Sequence, residues 1–431
     1  MKRELGKFER ALLIADAHAP FHRVSVLRLE GAPSPQIVRN ALRVLQDHHP
    51  FLSAGLLVEQ GHYYFVNLVD PMLPFHVLPR WNDGHWVDIA EVELGNRINT
   101  FTAPLFRCTY LYDSTHERAE IILTIHLTIA DSASTARIMH EFLQVCASLR
   151  DEKTVPVSGQ APLADAAETR FPSAFRGLRL SLRTLRYALT QLADEISYRM
   201  QTREKRVPPL HTKPTRGHIH CIQLPEDLVD ELSRRARLEK LTLDSVLNAA
   251  MLLAVNRELY AGQPLPMRTI SFANLRPYVK PPLSNQELAS YTSMLRYTVQ
   301  VEGGLDFWQL ARDLHTRIYS SLKSGDKFVA NILAEELIKL VTRRRSSRVS
   351  ATALNYNGVV PVQPSYGAMK VTGIHMFVSA YDLGPELSAQ AQLFTDQLFW
   401  DFVYLDADMT RDEAIAITEE IRTILAHAIG R

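Results

Sequence analysis

Residues Ile121 to Ser134 read I-I-L-T-I-H-L-T-I-A-D-S-A-S. Six of the first seven are apolar or Thr, the composition of a buried strand. Polar residues then appear at His126, Asp131, Ser132 and Ser134. A carboxylate directly after an apolar run costs several kcal/mol to bury unless a partner meets it. The stretch therefore reads as a core strand running into a polar loop whose acid needs a partner.

Working outward, two strands, Arg107–Tyr112 and Glu120–His126, are joined by the polar turn Asp113–Arg118, and a helix over Ala136–Leu149 follows the loop. Upstream, Val24–Leu29 alternates as a strand. Ile37, Ala41, Leu42 and Leu45 then fall at helical spacing, and that helix stops near His48, His49 and Pro50, whose imidazoles suit a helix C-terminus. His62–Val69 reads as a strand and Trp86–Arg97 as a helix. The first domain is expected over residues 1–152. Residues 153–215 form a linker, with Pro, Ala and Ser enriched over Val155–Ala167, a long helix over Leu178–Arg206, and three prolines in Val207–Pro214. A basic amphipathic helix can lie on a membrane surface. Asp194, Glu195 and the interrupted apolar face favour packing across the two domains instead. The second domain, 216–431, contains strands at Met267–Ala273, Leu288–Val301, Ile374–Tyr381 and Leu398–Tyr404, the last two expected to finish one sheet. Helices are expected at Glu226–Arg237, from Leu241, and at Leu305–Leu322, Asn331–Thr342 and Ala407–Ile429.

With 431 residues, more than one core is expected. The formal charge of +1 gives no overall attraction to nucleic acid. The local run Arg343, Arg344, Arg345 and Arg348 reads as a solvated helix end. Three widely spaced cysteines form neither a disulfide framework nor a zinc pattern, and Cys108 and Cys146 sit among apolar neighbours as buried structural residues. No metal site is expected. The charged N-terminus and the lack of a long apolar window point to the cytoplasm, with no membrane span.

Residues His126-Leu127-Thr128-Ile129-Ala130-Asp131-Ser132 resemble the H-H-x-x-x-D-G signature of the condensation-domain and chloramphenicol-acetyltransferase-like acyltransferases. That superfamily includes stand-alone alcohol acyltransferases and the mycobacterial polyketide-associated acyltransferases. Further similarities are H-P-F-L-S from His49, P-L-F-R at Pro104–Arg107, the helix from Leu241, N-L-R-P at Asn274–Pro277 and L-N-Y-N-G at Leu354–Gly358. The resemblance implies an α/β fold of two subdomains, each a mixed sheet flanked by helices, arranged as a V with a tunnel between them. It implies a structural ion pair between Asp131 and Arg276. It also implies transfer of an acyl group from a coenzyme A or phosphopantetheine thioester, free or on an acyl carrier protein, to an alcohol or amine in lipid or natural-product biosynthesis. No permanently bound cofactor is implied.

The motif departs from the family at one position: Leu127 stands where the resemblance puts the catalytic His. Successive side chains on a strand point to opposite faces, so with Leu127 toward the tunnel, His126 faces the packing. Ser132, Ser134, Asn355, Asn357 and His375 are the remaining tunnel candidates, His375 as an alternative base. Two readings stay open. One is an acyltransferase working without the usual base. The other is a catalytically inactive relative that binds a ligand, a carrier domain or a partner.

Overall fold

The computed structural model describes residues 2–68, 71–102, 104–155, 159–175, 177–202, 215–284, 286–344, 348–380 and 382–430. Within them, two six-stranded mixed sheets are flanked by helices. The N-terminal sheet runs Ser365–Tyr366, Met369–Val378, His22–Glu30, Arg118–His126, Phe106–Asp113, Phe75–Pro79. The C-terminal sheet runs Thr292–Val301, Leu265–Asn274, Thr352–Val359, Leu387–Phe394, Gln397–Leu405, Gly217–Leu224. A small third sheet joins Lys2–Glu4, His62–Asn67 and Ala54–Glu59.

The apolar run of the motif is explained by its place. Arg118–His126 lies inside the N-terminal sheet, paired with His22–Glu30 on one side and Phe106–Asp113 on the other, and is buried on both faces beyond its first residue. Leu27, Ile121, Leu123 and Ile125 pack in one cluster with the apolar faces of the helices Pro35–His48 and Ser132–Arg150. Val24, Val26 and Ile122 meet Trp86 and Ala90 of the helix His85–Gly95. The helix after the motif starts at Ser132, four residues before the predicted Ala136, because the Asp131 carboxylate caps it by accepting the Ser134 N–H at 3.0 Å.

Several expectations need correction. The segment Met369–Val378, expected in the second domain, pairs antiparallel with His22–Glu30 of the N-terminal sheet, Ile374 opposite Leu27. Chain from the C-terminal half thus covers what would be an open sheet edge. It does not share a sheet with Gln397–Leu405, which pairs instead with the unpredicted strand Leu387–Phe394. Tyr381, the end of the predicted strand, lies outside the described residues. The strand predicted from Leu288 begins at Thr292. Residues 288–291 instead approach the motif loop, where the backbone of Ala289 and Tyr291 bonds Asp131 and Ser134.

Residues 161–171 of the 153–215 linker pack into the core. Ala161, Ala164, Ala167 and Phe171 are buried, and Arg170 pairs with Glu287 at 2.6 Å. Residues 203–214, with the prolines of Val207–Pro214, lie outside the described residues, as does Arg345. Arg348, placed in a solvated patch by its sequence, is buried and paired with Asp408. His48 and His49 are buried too, with His49 Nε2 2.6 Å from Glu141 Oε2. Cys108 and Cys146 are buried, and burial pushes both thiols up. No helix of the described residues is long and apolar enough to cross a membrane.

Candidate functional site

The loop at the end of Arg118–His126 is held by a dense polar clasp. One Asp131 carboxylate oxygen accepts from Arg276 Nη1 and from the Tyr291 N–H at 3.0 Å. Arg276 Nη2 donates to Ser134 Oγ at 2.8 Å and to the Ala289 carbonyl at 3.1 Å. Ser134 Oγ also accepts the Ala289 N–H at 3.0 Å. A planar guanidinium with several fixed donors satisfies a carboxylate and its neighbours together, which a lysine could not do. This clasp joins the motif to the Asn274–Tyr291 segment.

Beyond the loop lies a cavity of about 220 Å³. Its walls come from both halves of the chain. Phe8 and Leu12 enter from the helix Lys7–His18, Tyr187 and Gln191 from Gly177–Thr202, and Ala334 and Ile338 from Asp326–Arg344. Ile270, Phe272 and Met294 contribute one face of the C-terminal sheet. Leu127, Asp131 and Ser132 bring the motif to this chamber. Most of the exposed lining surface is apolar, with polar side chains such as Arg23, Ser132, Asn355 and Gln390 among it, the usual character of a small-molecule site.

Leu127 faces the chamber and is 7 % exposed, packed with Phe8, Leu12, Met294, Ala334 and Val378. His126 turns the other way and is fully buried. Its Nδ1 lies 2.7 Å from Thr128 Oγ1 and accepts the Thr128 N–H at 3.3 Å. Its Nε2 stands 3.7 Å from Asp16 Oδ1, beyond hydrogen-bond reach. Burial opposes the Asp16 charge, yet His126, the Phe21 amide and Arg97 outweigh it and hold that carboxyl below its ordinary range. Nearby, His22 Nε2 lies 2.7 Å from the Glu93 carbonyl oxygen, and the Glu93 carboxylate accepts from Arg107 and the Thr109 and Thr124 hydroxyls. Burial drives His22 down to about 4, so a neutral ring donates to that carbonyl oxygen.

Of the other predicted residues, Ser132 and Asn355 reach the chamber and meet there, Asn355 Nδ2 lying 2.7 Å from Ser132 Oγ and 2.9 Å from Gln390 Oε1. Ser134 serves the clasp. Asn357 is directed to Gln392 and Met376 and does not line the chamber. His375 is not brought to it either. Its Nδ1 is 2.7 Å from Asp401 Oδ1, its ring stacks on Trp86 with centroids 4.6 Å apart, and Asp401 also accepts from the Met376 N–H and Gln392. Since His375 belongs to one sheet and Asp401 to the other, this contact ties the sheets together.

Sequence reasoning missed Arg23. It lines the chamber, is 4 % exposed, and has no hydrogen-bonded carboxylate among the described residues. Nη1 reaches Thr135 Oγ1 only at 3.5 Å, and Nε has no partner. Burial pushes this guanidinium down to about 10 against the pull of nearby Asp131. The available signal was parity: Arg23 is in phase with Ser25, Leu27 and Leu29, the face packed against the helix Ser132–Arg150.

Residues 213–399 match the family model described as phthiocerol/phthiodiolone dimycocerosyl transferase C-terminus. No curated protein sequence matches the chain. Among solved structures, the trichothecene 15-O-acetyltransferase of Fusarium sporotrichioides is similar with a TM-score of 0.77 at 11 % identity, over 99 % of this chain and 95 % of that one. Polyketide synthase associated protein 5 of Mycobacterium tuberculosis aligns at TM-score 0.70 and 16 % identity, over 99 % and 98 % of the two chains. The first condensation domain of the calcium-dependent antibiotic synthetase, in complex with a substrate analogue, aligns at 0.73 and 14 %, over 100 % and 96 %. The chain thus has the two-sheet α/β fold of these acyltransferases and condensation domains, and its residues 213–399 are similar to that transferase family model.

Proposed function

We propose that the protein transfers an acyl group from a thioester, on coenzyme A or a carrier protein, to an alcohol or amine inside the chamber. The observation that carries this reading is a mainly apolar cavity walled by both halves of the chain, with Asp131 of the Asp131–Arg276 clasp in its wall. The acceptor heteroatom attacks the thioester carbonyl carbon, the C–S bond breaks, and the proton lost by the acceptor ends on the departing thiol. Holding both reactants in line contributes up to ~7–11 kcal/mol. Arg23, a buried guanidinium in the chamber wall, is suited to steady the carbonyl oxygen as it gains charge, a kind of contact worth ~3–4 kcal/mol. The proton passes without a side-chain base at residue 127, which forgoes the ~10²–10⁴ in rate that a positioned base supplies.

A second reading, a non-catalytic binding protein, is favoured by one observation: no imidazole lines the chamber among the described residues, and Leu127 fills its seat with apolar packing. The two are separated by incubating wild type with a panel of acyl-coenzyme A donors and alcohol or amine acceptors and measuring thiol release. Acceptor-dependent release that falls in Arg23→Met supports transfer. Acyl-chain binding without release by wild type supports the binding protein.

A further inference from the structure

The helix Gly177–Thr202 has two faces of opposite use. Its inner face is anchored through buried Arg268, whose Nη1 lies 2.9 Å from Glu195 and Nη2 3.2 Å from Asp194, with Arg296 3.4 Å from Glu195. Tyr198 lies against the Arg268 guanidinium at 3.6 Å, and Tyr187 and Gln191 line the chamber. Both acids of the helix thereby meet buried cations, and Glu195 also accepts from exposed Arg199 at 2.7 Å. Its outer face carries Leu182, Leu185, Leu189, Leu192, Ile196 and Met200, each 49 to 72 % exposed. The spacing is three or four residues throughout, so they form one stripe along the helix.

We propose that this stripe seats the protein on an anionic lipid surface, the helix lying in the plane of the interface. Contiguous apolar surface of this extent on a soluble chain marks a contact site. Charge decides the occupant. Exposed Arg186 borders the stripe on one side, with exposed Arg183 beyond it donating to the Ser324 carbonyl at 3.1 Å, and Arg199 borders it on the other, 2.7 Å from Glu195. Asp194 and Glu195 also meet Arg268, so arginines outnumber acids on this helix. Apolar residues flanked by arginines match acyl chains beneath anionic headgroups. A second copy of the helix laid against the first would bring arginines to meet arginines, its two acids being already engaged by Arg199, Arg268 and Arg296 of their own chain, so self-pairing lacks the complementary charges a helical dimer uses. Placement adds a consequence: the wall of the chamber and the lipid-facing stripe are opposite sides of one helix, so an apolar substrate drawn from the surface has a single helix to pass.

The proposal does not depend on turnover, and its test does not use it. The full chain is sedimented with phosphatidylcholine vesicles, with and without phosphatidylglycerol, at low and high salt, beside a Leu189→Glu/Leu192→Glu variant and an Arg183→Gln/Arg186→Gln variant. Circular dichroism checks that both variants fold. The expected result is binding to the anionic vesicles that weakens with salt and drops ~10-fold or more in the glutamate variant. In the glutamine variant the preference for phosphatidylglycerol should shrink. Absence of sedimentation, equal sedimentation of all three proteins, or a dimer in solution that the glutamates dissociate would each overturn it.

Discussion

Asp131 and Arg276, 145 residues apart in the chain, meet so that one carboxylate caps the helix Ser132–Arg150 and pairs a guanidinium on the segment from the other half. Arg276 also holds Ser134 and the Ala289 carbonyl, so the clasp fixes the loop that presents Leu127. Removing the cation alone leaves a buried carboxylate with backbone donors only. Arg276→Met is expected to lose about 3–5 kcal/mol. The double variant Asp131→Asn/Arg276→Met should recover part of that loss, because no unpaired charge remains. Urea unfolding of the two single variants and the double variant checks this through the coupling term.

Arg23 predicts the opposite sign. A guanidinium pushed down to about 10 by burial is charged at neutral pH at a cost of ~3 kcal/mol. Arg23→Met keeps an unbranched apolar stem and removes that cost. The variant should unfold at higher urea concentration than wild type while losing thiol-release activity, the trade-off expected where a strained charge serves a site. A destabilised Arg23→Met would show that the guanidinium is better satisfied than the geometry indicates.

The clasp was legible in the sequence through N-L-R-P and the Asp after the apolar run. Periodicity placed the strands Phe106–Asp113 and Arg118–His126 and the helix Pro35–His48 to within a few residues. Other features were not legible, for identifiable reasons. Leu387–Phe394 alternates, but Ala and Gln fill its alternate positions and have weak strand preference. The transfer of Met369–Val378 to the N-terminal sheet is a long-range pairing that no local pattern encodes. His49 resembled a helix-end residue because its partner, Glu141, lies 92 residues away. The partners of Asp194 and Glu195, Arg268 and Arg296, lie 74 and 101 residues away, so no local pattern named them.

His22 sets an acid limit. Burial, with Arg107 and His126 adding to it and the Glu93 carbonyl opposing, lowers its pKa from 6.5 to about 4. Between those values the unfolded chain binds a proton that the folded one does not, so stability falls as pH drops from 6.5 toward 4, by about 3 kcal/mol in all. Gln keeps a donor for the Glu93 carbonyl and cannot titrate. His22→Gln should therefore lose less stability than wild type over that window, as measured by thermal unfolding at matched pH values. Parallel curves would contradict the assignment.

Arg268 is the anchor of the helix Gly177–Thr202. Arg268→Met should raise amide deuterium uptake along residues 177–202 while leaving the strand Arg118–His126 protected, since the two belong to separately packed units. Equal uptake in the two proteins would mean that Tyr187 and the remaining apolar contacts hold the helix unaided.

The most direct test of the central claim, that Leu127 occupies the proton-handling seat of an otherwise intact acyl-transfer chamber, is the pH–rate profile of thiol release by wild type and Leu127→His with one acyl-coenzyme A and one alcohol. The account predicts a slow wild type with no inflection in the imidazole range. It also predicts a variant faster by ~10² or more whose rate rises through a single ionisation near the imidazole pKa. A wild type that already shows that inflection, or a folded variant no faster than wild type, would contradict it.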